Sequence, residues 1–311
     1  MNGYPVIKLA DHPSKVRTAG LSWKRIISPA QGYRHAHMFE KLLVPVDLSP
    51  QSQMMATTAA RMASYGVREV VLYSALEHHS KRDPLLKAID DRLGESGLKH
   101  RVVTEVRKDP ASAILKAAEA HGSTMIAMAA SGKGRVREFF VGSTSLAVIR
   151  RSKLPVLLDK FPMEADSDPV GFVEHSPGLL DSVLVTLDLS KATKHMMPYV
   201  QQLIDAGARR VTLLHVVQSS RYSITDERRF QEVNRKLEEH RSKLETGDCQ
   251  VDTYVRFGTS TYNILESARE AEATLIMLGT TGKSYLRGAT LGSTSEEVVK
   301  GSSGPVLLIP A

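Results

Sequence analysis

The sequence has one cysteine, Cys249, and one tryptophan in 311 residues. A single cysteine excludes an intrachain disulfide and any cysteine-based zinc site. It also predicts a reducing, cytoplasmic setting. No run of about 18 apolar residues is present, so no membrane span is expected. The start of the sequence lacks a compact apolar stretch behind a basic one, so no secretory leader is expected either. An excess of charge of either sign is missing from most of the chain. The net charge is +7, but residues 1–39 alone carry six basic side chains against Asp11, and the remainder is close to balance. A nearly neutral body argues against nucleic acid as a partner.

The familiar phosphate motifs are absent too. "GTTGKS" at 279–284 resembles a P-loop only in its last letters, because Met277 stands where the first glycine is needed. "SGKGRVR" at 131–137 opens a G-x-G, but Arg137 occupies the third glycine position. No G-x-S-x-G and no cysteine nucleophile is found. Asp166 and Asp168 faintly suggest a calcium loop, which Val170 and Pro177 break.

What is present is a duplication. "KLLVPVDLSP" at 41–50 matches "SVLVTLDLSK" at 182–191, and "REVVLYSALE" at 68–77 matches "RRVTLLHVVQ" at 209–218. "MAASGKGRVREFFVGSTSLA" at 128–147 matches "LGTTGKSYLRGATLGSTSEE" at 278–297, and "LPVLL" at 154–158 matches "GPVLLIP" at 304–310. The order is the same in both halves. Each copy is of domain size. The expected layout is a basic extension over 1–39, domain 1 over 40–161, a linker over 162–179 and domain 2 over 180–311.

Short apolar runs alternate with amphipathic stretches in each copy. Strands are predicted near 41–46, 69–74, 101–106, 124–129 and 155–158, then near 182–187, 210–216, 250–255, 274–278 and 305–309. Helices fit near 50–65, 83–95, 110–121 and 143–151, and a long charged one near 224–245. Ser49 before Pro50 is an N-cap followed by a first helical turn, Asp109 before Pro110 repeats the signal, and Gly66 marks a helix end. This alternation predicts an α/β fold in which each unit is a doubly wound parallel sheet covered on both faces. Ligands of such sheets sit at the carboxyl ends of the strands. The glycine stretch begins there in both copies, after strand four.

The spacing Gly279-x2-Gly282-x9-Gly292-Ser293 resembles the nucleotide motif of the universal stress protein family, and the resemblance runs strand by strand through both copies. It implies two five-stranded sheets of order 3-2-1-4-5, and it implies adenine-nucleotide binding in one branch of the family. The closing strands 155–158 and 305–309 would lie at sheet edges, so antiparallel pairing of the two is expected to join the units as a pseudo-twofold pair.

On physical grounds the glycines permit close approach of backbone to ligand. "GSTS", as Gly292, Ser293, Thr294 and Ser295, opens a helix whose unpaired N–H groups suit phosphate. Gly142, Ser143, Thr144 and Ser145 repeat it. Lys283 and Arg287 are equally suited to phosphate and to solvent. Asp188 and Asp47 follow the first strands, and Asp47 is not needed as a cap beside Ser49. The resemblance assigns them to the ribose and base. It assigns Thr186, Leu187, Val216 and Leu278, with Gly279, Thr281 and Gly282, to the second site. Pro45, Val46, Ser74 and Met128, with Ala129, Ser131 and Gly132, fall to the first. Ala129 replaces the first glycine. A left-handed backbone there would cost alanine about 1–2 kcal/mol, about ten- to thirtyfold in affinity, and an extended backbone would cost nothing.

The implied ligand is ATP, ADP or AMP, with or without Mg²⁺. The leading expectation is a non-catalytic, nucleotide-binding stress or regulatory protein, with further oligomerisation open. The rivals are a slow ATPase or nucleotidyl-transfer enzyme of the related adenine-nucleotide hydrolase fold, and an interaction module whose first pocket has lapsed.

Overall fold

A computed structural model describes residues 37–47, 49–75, 84–130, 141–161, 168–218, 224–281 and 291–310. Domain 1 contains β1 (Lys41–Pro45), α1 (Pro50–Arg61), β2 (Glu69–Ser74), α2 (Pro84–Glu95), β3 (Lys99–Thr104), α3 (Pro110–Ala120), β4 (Met125–Ala129), α4 (Ser143–Arg151) and β5 (Val156–Asp159). The short α5 (Pro169–His175) follows. Domain 2 contains β6 (Val183–Thr186), α6 (Lys191–Asp205), β7 (Arg210–Val217), α7 (Ile224–Arg241), β8 (Gln250–Phe257), α8 (Ser260–Glu270), β9 (Leu275–Gly279), α9 (Ser293–Gly301) and β10 (Val306–Ile309).

All ten strands form one sheet in the order β3-β2-β1-β4-β5-β10-β9-β6-β7-β8. Each half has the order 3-2-1-4-5. Every neighbouring pair is parallel except β5 with β10, which is antiparallel. The predicted edge-to-edge joint is therefore the centre of the sheet.

Alternation along each strand feeds two cores. Leu42 and Val44 of β1 enter one, with Met55 and Ala59 of α1, Leu93 of α2, Val200 and Leu203 of α6, and Val233 and Leu237 of α7. Leu43 enters the other, with Ile114 of α3, Val148 of α4, Ile264 of α8 and Val298 of α9. Side chains of successive strand residues point to opposite faces, so a sheet covered on both faces must be apolar at nearly every strand position.

The helix signals work as read. Ser49 caps α1 by accepting from the Ser52 amide, and Asp109 caps α3 by accepting from the Ser112 amide. The helix predicted over 50–65 ends as α-helix at Arg61 and tightens into a 3-10 turn over 62–65, closed by Gly66 at φ +100°. Two expectations change. The stretch read as linker holds α5, capped by Asp168 through the Gly171 amide, which is the work of a residue weighed above as a calcium ligand. Arg61 donates to the carbonyls of Val173 and Ser176, and Val173 packs on Met54, so α5 lies on α1. The extension ends earlier than read: Met38 and Phe39 are buried in the core. The Met38 amide donates to Oε1 of Gln202 in α6 at 2.7 Å, so the entry to domain 1 is fastened to domain 2. The apolar cluster Leu21, Trp23, Ile26 and Ile27 lies outside the described residues.

Candidate functional site

In domain 2 strand order reverses between β6 and β9, since β9 leads outward to β10 and β6 leads the other way to β7 and β8. The segments leaving these two strands diverge and leave a crevice at their carboxyl ends. In domain 1 the same crevice lies between β1 and β4.

One wall is the turn after β6. Asp188 accepts from the Ser190 amide at 2.9 Å, from the Ser190 hydroxyl at 2.8 Å and from the Thr193 hydroxyl at 3.0 Å. Ser190 caps α6 by accepting from the Ala192 amide. Asp188 is thus not the cap but the group that holds the cap. A carboxylate has about four lone-pair sites, so three bonds leave acceptor capacity. Asp47 repeats the arrangement, accepting from the Ser49 amide at 3.0 Å and hydroxyl at 2.6 Å. It is therefore not left over by the Ser49 cap, as the sequence suggested, but buttresses it.

The other wall is the start of α9. Gly292 is its N-cap in extended conformation and supplies no side-chain bond to the first turn. The first amides of α9 thus lack a side-chain cap and carry the positive end of the helix dipole. The Gly292 amide donates to the Thr280 carbonyl at 2.7 Å, which pins the helix start to the strand end. Gly142 and Ala130 make the same bond in domain 1 at 2.8 Å. A Cβ on Gly292 would lie 3.5 Å from the Thr280 oxygen, an ordinary contact, so the fold does not require glycine there.

Ser295 belongs to the helix start expected to meet phosphate. Its hydroxyl is buried and donates to the Gly279 carbonyl at 2.8 Å, as Ser145 donates to Ala129 at 3.2 Å. A hydroxyl has one proton, so in this arrangement both serines tie helix to strand. Ser293 and Ser143 are exposed, and Thr294 and Thr144 half-buried, at the same helix starts.

The Ala129 question has an answer. Gly279 is the last residue of β9, pairs with Ile309 and is not among the positive-φ glycines. Ala129 is likewise the last residue of β4, opposite Asp159. An extended residue needs no glycine, so the left-handed penalty does not arise. What Gly279 avoids is crowding: a Cβ there would lie 3.1 Å from the Thr281 carbonyl oxygen and 3.4 Å from Sδ of Met196.

Thr186 pairs with Leu214 and Pro45 with Tyr73, so Ser74 is the counterpart of His215, and Ala75 of Val216. Val216 and Ala75 both pack on the core beneath α4 and α9. Buried His215 bonds the Leu187 carbonyl through Nδ1 at 2.6 Å, and an oxygen that only accepts fixes the proton on Nδ1. Sequence reasoning missed this bond and the Thr193 bond. Leu187, Leu278, Val46 and Met128 are buried, and Thr186, Thr281 and Pro45 half-buried, around the crevices. Ser131, Gly132 and Gly282, with Lys283 and Arg287, lie outside the described residues. Among the described residues no three His, Cys, Asp or Glu side chains gather as a metal site, and no helix is long and apolar enough to cross a membrane.

The sequence model described as "Universal stress protein family" matches residues 38–160 and again 180–310. A curated universal stress protein of Methanocaldococcus jannaschii is 34% identical over 73 residues, which are 24% of this chain and 43% of that protein. The match thus spans less than half the length of that relative. A universal stress protein of Archaeoglobus fulgidus superposes with a TM-score of 0.61 at 24% identity, over 87% of this chain and 98% of that one. A putative universal stress protein of Pseudomonas aeruginosa superposes at 0.65 and 16% identity, over 88% and 94%. Both structures are similar in fold across both domains.

Proposed function

This chain belongs to the universal stress protein family, in tandem, and we propose that each of its domains binds one adenine nucleotide and that the protein acts as a regulatory binding protein. The observation that carries this reading is a juxtaposition made twice. A capped-turn aspartate, Asp188 or Asp47, and a helix start, at Gly292 or Gly142, that has no side-chain cap of its own stand at the carboxyl ends of neighbouring parallel strands. Carboxylate acceptors suit sugar hydroxyls, and unpaired helix amides suit phosphate. One nucleotide carries both groups.

The residues fit such a ligand. Thr186, Leu187 and Val216 would flank the nucleoside in site 2, with Pro45, Val46 and Ala75 in site 1. The amides of residues 293–295 and 143–145 would meet the phosphates. A magnesium ion, if it accompanies the ligand, would be held chiefly by those phosphates. The aspartates favour binding over catalysis, since Asp188 is anchored by three protein donors and positioned as an acceptor rather than a mobile base.

Mass spectrometry of small molecules released from the purified protein, followed by calorimetry of stripped protein with ATP, ADP and AMP, tests the proposal. Expected are an adenine nucleotide in the released fraction and two sites per chain. Stripped protein that takes up none of the three at millimolar concentration would refute it.

A further inference from the structure

The two phosphate-facing helices are related by the pseudo-twofold, but they are not held alike. α9 of domain 2 is gripped from domain 1 at both ends. Near its start, Arg150 of α4 donates to Glu296 at 2.7 Å, and Glu296 also accepts from Lys300 at 2.7 Å. Past its end, Nζ of Lys160, just after β5, donates to the carbonyls of Lys300 at 2.8 Å and Ser302 at 2.7 Å.

The reciprocal grip is chemically impossible. Val156 and Val306 start equivalent strands, so the counterpart of Lys160 is Pro310, which has no ammonium to donate. The counterpart of Glu296 is Leu146, which cannot pair with the cation at Lys300. The Arg150–Glu296 pair is thus shared by α4 and α9, while the ammonium at the helix end is given to α9 and not to α4.

Both contacts bear on how α9 presents its start, the end opposite the Lys160 contact, to the crevice. The last carbonyls of a helix lack intrahelical partners and carry its negative dipole end, so a cation there steadies the helix as a body. Glu296 lies in the first turn, and side chains on a helix lean toward its N-terminus. Its carboxylate is thus an anion beside the place where phosphate would approach. The neighbouring Lys300 ammonium and Arg150 guanidinium hold its carboxyl below the usual range and offset its charge.

We propose that domain 1 positions and charge-balances the phosphate helix of domain 2, so that site 2 is a composite of both domains while site 1 belongs to domain 1 alone. This rests on the nucleotide reading above. Arg150 and Lys160 are positioning residues that act on site 2 through α9.

The test uses the full chain and ADP as the probe. Calorimetry in a Gly142→Val background reads site 2, and in a Gly292→Val background reads site 1. Lys160→Met and Arg150→Met should each weaken site 2 by about three- to tenfold, and Lys160→Met, a change outside α4, should leave site 1 unchanged. Lys160→Arg, which keeps a cationic donor, should retain wild-type affinity. Glu296→Gln added to Arg150→Met should restore it, because the unbalanced carboxylate is gone. Equal losses at both sites in Lys160→Met, or no loss at site 2 in either variant, would overturn the proposal. Amide hydrogen exchange of ligand-free protein keeps the two readings apart. Lys160→Met should speed exchange in α9 but not in α4. Unchanged exchange in α9 would overturn the positioning role even if nucleotide binds. Faster exchange in a protein whose wild type binds no nucleotide would refute the proposed function and, with it, the composite site.

Discussion

Leu157 of β5 lies opposite Leu307 of β10, the residue that holds its own position in the second domain. A residue paired with its counterpart marks the pseudo-twofold axis. Both are buried, and the pairs Val156 with Leu308 and Leu158 with Val306 flank them. Separating the domains would uncover two apolar edge strands, the kind of edge that pairs with another chain. A domain 1 fragment starting at His37 and a domain 2 fragment starting at Gly178 should therefore self-associate when alone and form a one-to-one complex when mixed. Analytical ultracentrifugation decides this; two fragments that stay monomeric at high concentration and ignore each other would contradict the joint.

Site 1 should gain nothing from Ala129→Gly. Ala129 ends a strand in extended conformation, so no left-handed strain is there to relieve. Calorimetry should show site 1 affinity changed by less than about threefold, around 0.6 kcal/mol. Gly279→Ala should behave differently, since its Cβ would press on the Thr281 carbonyl. A cost of about 1 kcal/mol to site 2 is expected, with site 1 unaffected.

Gly292→Val should abolish site 2 and spare the fold. The backbone there is extended at φ −71° and ψ 150°, which valine adopts readily. Its branched side chain would stand at the mouth of the helix start. Calorimetric stoichiometry should fall from two to one while circular dichroism is unchanged. A variant that keeps two sites would show that phosphate does not approach this glycine.

Asp188→Ala should weaken site 2 and also loosen the turn. One charged hydrogen-bonding group is worth about 1.5–3 kcal/mol, or roughly ten- to a hundredfold in affinity. The Ser190 and Thr193 hydroxyls lose their acceptor, so the melting temperature should fall as well. Asp188→Asn, which retains one carbonyl oxygen, should fall between the two. Full affinity in Asp188→Ala would remove this aspartate from the site.

Asp159 should make stability depend on pH. It ends β5 at only 6% exposure, its carboxyl accepting from the Lys160 amide, and burial pushes it up to about 7 from 3.8. A carboxyl raised in the folded state binds its proton more tightly there than in the unfolded chain. The contribution therefore favours folding below about pH 4 and is lost as pH rises through 7. Asp159→Asn keeps the acceptor and removes the charge. It should stabilise the protein by about 2–4 kcal/mol at pH 8 and by clearly less at pH 5. Thermal melts showing a gain independent of pH would rule this out.

The sequence by itself determined the repeat, the strand positions, the helices of the repeated unit that it marked and the caps at Ser49 and Asp109, though not α5. These signals are local: an alternating apolar run or a Ser-Pro pair acts within a few residues and is read without knowing what lies across the fold. The Leu157–Leu307 joint was legible as well, because an apolar edge strand must be covered and the repeat supplies its own cover. Tertiary structure alone decided which partner each polar group takes. Ser295 spends its proton on the Gly279 carbonyl sixteen residues earlier, and Asp188 gathers the donors of its own cap. Ala129 rests in a strand where glycine is not needed, and Lys160 reaches the end of a helix 140 residues away. A hydrogen bond depends on distance and direction in space, and a repeat fixes which residue types recur but not which atoms end up within reach of one another.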